Sequence, residues 1–191
     1  MGIDFRRSKA SWPTACNHSR FTKTMMLIIQ GKKELRAGQL VVDDYVPFSF
    51  QAYTGILPDP YLWRIGNFKT SLMELTIEKQ SKLVLGITLT LYNRKLQTEI
   101  PPSYLAVEVA TGFPVANTEM FSNDRHDETR DFELVQNGNS FIAVLNDGVQ
   151  PQRCLRADRV GFYERANEIC GIGFFDLTAS EVKKLKILFQ K

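Results

Sequence analysis

Between Gly66 and Tyr92, apolar and polar positions alternate more regularly than elsewhere in the chain. Met73, Leu75 and Ile77 share one face of a first run, and Leu83, Leu85, Ile87, Leu89 and Leu91 share one face of a second. Period-2 alternation rich in Leu, Ile and Thr predicts a long antiparallel hairpin with one buried face. A four-residue loop, Lys79 to Lys82, would set Ile77 against Val84 and Leu75 against Gly86, so apolar positions would meet polar-side ones. A one-residue slip flips every side chain to the other face. A loop of odd length is therefore expected, with Leu75 and Ile87 buried together.

The remaining patterns are shorter. Met26 to Gln30 reads as a strand turned by Gly31-Lys32-Lys33, with a weak run at Val41-Val42 after Gly38. Phe48 and Phe50 alternate with Ser49 and Gln51, while Pro47 has no amide proton to give a ladder, which marks an edge or irregular strand. Leu105, Val107 and Val109 form another short strand. Thr111 to Arg130 is the longest irregular section, and Phe132–Val135 and Phe141–Leu145 flank the turn signal Asn137-Gly138-Asn139. Asn146-Asp147-Gly148 turns the chain again. Arg153–Tyr163 and Glu168–Asp176 make a third hairpin, in which Gly171 and Gly173 admit a close neighbour, expected to be the terminal helix. That helix opens at Thr178, with Glu181 completing a capping box. Val182, Leu185, Leu188 and Phe189 line its inner face, and Lys183, Lys184 and Lys186 its outer one. The fold class is α+β: mostly antiparallel β, as a hairpin-rich sheet or sandwich, with a C-terminal α-helix.

Composition divides the chain unevenly. Residues 1–24 are polar, aperiodic and turn-prone, and read as a disordered or misassigned leader before a single globular domain at 25–191. Five of the 24 basic residues and one of the 21 acids lie in that leader, so the domain carries 19 basic and 20 acidic residues. A near-neutral body gives no electrostatic case for nucleic acid. The longest apolar run, Met25 to Ile29, is far short of the roughly 20 residues of a membrane helix. A cytoplasmic address without membrane contact is expected.

Candidate chemistry is sparse. Cys16, Cys154 and Cys170 lack metal-type spacing and read as reduced thiols, with Cys154 and Cys170 unbridged and far apart. His126, amid Asp124, Asp127 and Glu128, is the single body histidine that could serve as a base or metal ligand. Gly171-x-Gly173 lacks the third glycine and the strand-to-helix setting of a dinucleotide fingerprint. No catalytic residue, metal site or cofactor is assigned, and a non-enzymatic role is expected. The alternatives are a hydrolase centred on His126, metal- or His-dependent, or a small-molecule-binding β domain.

Two stretches suggest more. Gly66-Asn67-Phe68-Lys69-Thr70-Ser71-Leu72-Met73-Glu74-Leu75, then Gly86-Ile87-Thr88-Leu89, resembles a segment of the immunity proteins of bacterial polymorphic-toxin and contact-dependent growth inhibition systems. The ending Gly171-Ile172-Gly173-Phe174-Phe175-Asp176-Leu177-Thr178, with Glu181, is similar to their last strand and helix start. The resemblance implies a protein that binds and blocks a cognate toxin domain without chemistry of its own. Exposed acids and aromatics on loops are the natural anchors for such a partner. The candidates are Asp43, Asp44 and Tyr45, and Asp124, His126, Asp127 and Glu128 in the irregular section.

Overall fold

The computed structural model describes residues 26–33, 38–146 and 148–189. The expectations for residues 1–24, Cys16 and the turn at Asp147 lie outside them. Among the described residues, fourteen strands and one α-helix follow in order. They are β1 (Ile29–Lys33), β2 (Gln39–Val41), β3 (Phe48–Gln51), β4 (Tyr61–Gly66), β5 (Ser71–Ile77), β6 (Val84–Tyr92) and β7 (Glu108–Thr111). Next come β8 (Phe113–Ala116), β9 (Arg125–Thr129), β10 (Glu133–Asn137), β11 (Ser140–Val144), β12 (Arg153–Ala157), β13 (Val160–Arg165), β14 (Glu168–Phe174) and α1 (Ala179–Phe189).

The strands build two six-stranded sheets, ordered β2-β3-β6-β5-β4-β9 and β10-β11-β14-β13-β12-β7, and a two-stranded ribbon, β1-β8. Each sheet is antiparallel except at one edge, where β9 joins β4, and β7 joins β12, in parallel. The sheets pack face to face through aromatic rings. Phe48 of the first stacks on Phe174 of the second at 4.1 Å and meets Phe141 edge-on at 5.6 Å. Phe113, from the ribbon, reaches Phe50 and Phe162 and so touches both sheets. Helix α1 sets Phe189 against Tyr92 and Phe141, one ring from each sheet.

The central hairpin buries Leu75 opposite Ile87, as its alternation predicts, but by another route. Ile77 faces Val84, and the Glu78 amide donates to the Leu83 carbonyl at 2.9 Å, so the loop is the even one, Lys79–Lys82. A β-bulge supplies the missing odd residue. Leu85 is skipped between the pairs Thr76–Gly86 and Ile77–Val84, which restores the apolar phase beyond it. Val84 and Leu85 are consequently both buried.

Other local expectations are corrected by long-range pairing. Gly31-Lys32-Lys33 continues β1 against β8 instead of turning. β3 lies between β2 and β6, not at an edge, because Pro47 falls just outside it. Arg153–Tyr163 splits at Asp158, whose positive φ of 54° turns β12 into β13. The glycine face of β14 receives not α1 but two aromatic rings. A Cβ at Gly171 would meet the Tyr104 ring at 2.7 Å, and one at Gly173 would collide with the Phe175 ring. The Tyr104 hydroxyl donates to the Cys170 carbonyl, which pins its ring over the strand.

The start of α1 matches its sequence signature. The Glu181 amide donates to Thr178 Oγ1 at 3.3 Å, and the Thr178 amide donates to Glu181 Oε2 at 2.7 Å. Leu185 and Phe189 are buried. Thr178→Ala is expected to cost about 1 kcal/mol through the lost cap; an unchanged denaturation midpoint would contradict that.

Candidate functional site

The stretch Asp124–Glu128 is not loop but the parallel edge strand β9 and the residue before it. A polar edge strand has no apolar face to bury, so it leaves no hydrophobic period in the sequence. Pairing with β4 sorts its side chains by face. Asp127 lies beside Arg64 on the outer face, while His126 and Glu128 lie beside Trp63 and Ile65 on the inner one. Expected as an exposed anchor, Glu128 is instead only 4% exposed, and His126 is half-buried.

On the outer face Arg64 grips Asp127 with both prongs, Nε to Oδ1 at 2.7 Å and Nη2 to Oδ2 at 2.6 Å. This hydrogen bonding holds the Asp127 carboxyl below its ordinary value. Glu74 beside them is pushed up, chiefly by burial. Lys79, in the hairpin loop, bridges Asp59 and Asp124. Asp59, Leu62, Met120, Asp124, His126 and Asp127 help to line a surface concavity of about 750 Å³. Its acids are matched by Lys79, Arg64 and Arg125, so the rim is ordered but close to neutral.

The inner face is a polar pocket in an apolar setting. Glu128 lies 3.7 Å from both His126 Nε2 and Arg130 Nε, too far for a direct hydrogen bond. Trp63 Nε1, His126 Nε2 and Glu128 Oε1 are buried without a partner among the described atoms. Burial pushes the Glu128 carboxyl up, with Arg130 and His126 pulling against it. A raised carboxylate favours the fold below its ordinary range, and that contribution is lost as pH rises through the raised value. Glu128→Gln is thus expected to melt above the wild type at pH 7, with the gap closing near pH 4. A variant that melts lower at pH 7 would show that the ion pairs outweigh the burial.

The other predicted anchors sit elsewhere. Asp43, Asp44 and Tyr45 form the turn between β2 and β3. β3 begins opposite Leu89, toward the far end of β6, whereas the Asp124 carbonyl accepts from Leu62 at the start of β4. The two groups therefore occupy opposite ends and opposite edges of the sheet, roughly 20 Å or more apart at strand spacing. Tyr45 is 90% exposed, yet its backbone is held. Its amide donates to Asp43 Oδ1 at 2.9 Å, and the Asp43 amide donates to the Val46 carbonyl at 3.3 Å. Neither Asp43 nor Asp44 has an ion-pair partner among the described residues.

Arg64, Asp59 and Lys79 were not legible as parts of a site, because Arg64 and Asp127 meet only through a crossover 63 residues long. Cys154 and Cys170 are free and buried, as expected. They are nearer than the sequence suggested, since Cys154 pairs with Tyr163 and the Cys170 thiol donates to the Tyr163 carbonyl at 3.5 Å. Burial pushes Cys154 up to about 12 and Cys170 up to about 11, so neither is a ready nucleophile. Among the described residues no three His, Cys, Asp or Glu side chains group to hold a metal ion, and no helix is long and apolar enough to cross a membrane. No protein-family model matches the chain, and no curated protein matches it in sequence.

Proposed function

We propose that this chain is a stoichiometric binding protein that neutralises a bacterial toxin domain in the cytoplasm of the cell that makes both. The observation that carries the reading is the β2–β3 turn. Tyr45 stands almost fully exposed on a backbone held by hydrogen bonds, beside two acids without ion-pair partners among the described residues. Hot spots in interfaces are enriched in Tyr, and a pre-ordered turn spares the entropy of fixing it on binding. Asp43 and Asp44 favour a basic surface on the partner. The resemblance of Gly66–Leu89 and Gly171–Glu181 to immunity proteins supports the same reading from the sequence side.

The test co-expresses the toxic domain encoded beside this gene with and without the chain. Growth is expected only with the chain present, and Tyr45→Ala is expected to weaken the rescue without lowering the melting temperature. Equal killing in both cultures would end the proposal.

A hydrolase centred on His126 is the second reading, favoured by a buried carboxylate 3.7 Å from Nε2 beside a concavity. It predicts turnover of ester or phosphoester substrates that His126→Ala abolishes.

A further inference from the structure

An open sheet edge invites pairing with another chain, and folded proteins guard such edges with charge, proline, bulges or covering segments. Among the described residues, three of the four edges of the two six-stranded sheets are guarded. β10 is covered by Gln97, whose amide donates to the Leu134 carbonyl and whose carbonyl accepts from Gln136. β9 carries Arg125, Asp127 and Glu128, and reciprocal bonds between Ser122 and Arg125 close its first residue. β2 is three residues long and runs into Asp43-Asp44. The fourth edge, β7, has the sequence Glu108-Val109-Ala110-Thr111, with one acid at its first residue, whose backbone is turned to β12, and no proline, lysine or bulge. Val109 is 62% exposed, and Leu105 just before the strand is 61% exposed.

The phase of β7 shows which of its groups are open. The Gly112 amide donates to the Arg156 carbonyl at 3.0 Å, while Ala110 aligns with Leu155. In a parallel ladder alternate residues bond to the neighbour, so Glu108, Ala110 and Gly112 turn their backbone groups toward β12. Val109 and Thr111 turn theirs outward, where no described backbone group bonds them.

We propose that β7 pairs antiparallel with β7 of a second copy of this chain, with the two-fold axis at Ala110. Backbone phase permits self-pairing only about a single residue, and this register uses both open residues of the strand. Val109 then faces the partner's Thr111 in a hydrogen-bonded pair, on either side of the axis. No like charges oppose, because Glu108 lies across from the partner's Gly112. Strands this short bury less than the roughly 1,200 Å² of a standard stable interface, so the dimer is reversible and grows with concentration.

Site-specific oxidation tests the register. In a Cys16→Ser background, Ala110→Cys sets two thiols across a non-hydrogen-bonded pair, where Cα atoms lie about 4.5 Å apart, within disulfide range. Mild oxidation is expected to yield covalent dimer at least tenfold faster than for Lys69→Cys, an exposed turn position that reports random collision. Adding Val109→Lys to the Ala110→Cys chain should bring its rate down to that of Lys69→Cys. Cross-linking of Ala110→Cys no faster than Lys69→Cys overturns the dimer, and faster cross-linking of Val109→Cys overturns the register. Should Ala110→Cys fail to fold, sedimentation of the wild type decides: mass rising toward a dimer, and lost in Val109→Lys, supports the pairing, whereas a monomer at every concentration refutes it.

Discussion

Phe174→Ala is expected to destabilise the protein by about 3–5 kcal/mol, the range for an aromatic core deletion. The ring has no exposed surface, stacks on Phe48 at 4.1 Å, and so joins the two sheets. Such a loss is a large share of the 5–15 kcal/mol that stabilises an ordinary domain. Chemical denaturation should show the midpoint falling while the transition stays cooperative. A change below about 1 kcal/mol would mean that the sheets are not held together through this contact.

Leu75→Ala is expected to cost about 2–5 kcal/mol. Leu75 is fully buried on β5, with Ile87 across from it and Trp63 on its other side. The site is walled on both flanks by neighbouring strands, so the cavity left behind has little room to collapse. Deleting the skipped residue Leu85 should be damaging for a different reason, because it removes the bulge that keeps Leu75 and Ile87 in phase. Near-wild-type stability for Leu75→Ala would contradict the register.

How much of this was legible follows from where each element's information lies. The central hairpin and α1 carry theirs locally, in alternation from Met73 to Leu91 and in the Thr178–Glu181 cap, and both were readable. The hairpin's bulge was not, because alternation reports which face a residue occupies and not where an extra one is absorbed. β9 was read as loop since every residue from Arg125 to Thr129 is polar. Its strand character comes from β4, some sixty residues earlier, through a parallel pairing that leaves no local trace. The same crossover hid the burial of Glu128. Gly171 and Gly173 were correctly read as a place of close approach, but Tyr104 and Phe175 fill it, and nothing near the glycines names those rings. Of the candidate anchors, Asp43, Asp44 and Tyr45 are exposed, whereas the Asp124–Glu128 group divides between two faces of one strand.

The claim that this chain acts by binding is tested most directly by calorimetric titration of the purified chain into the toxic domain encoded beside its gene. The account predicts one-to-one association with a dissociation constant in or below the nanomolar range typical of inhibitory interfaces of standard size. Tyr45→Ala should weaken it at least tenfold, as expected when an exposed aromatic anchor is truncated. Absence of heat and of co-elution, with both proteins folded at about 100 μM, would contradict it.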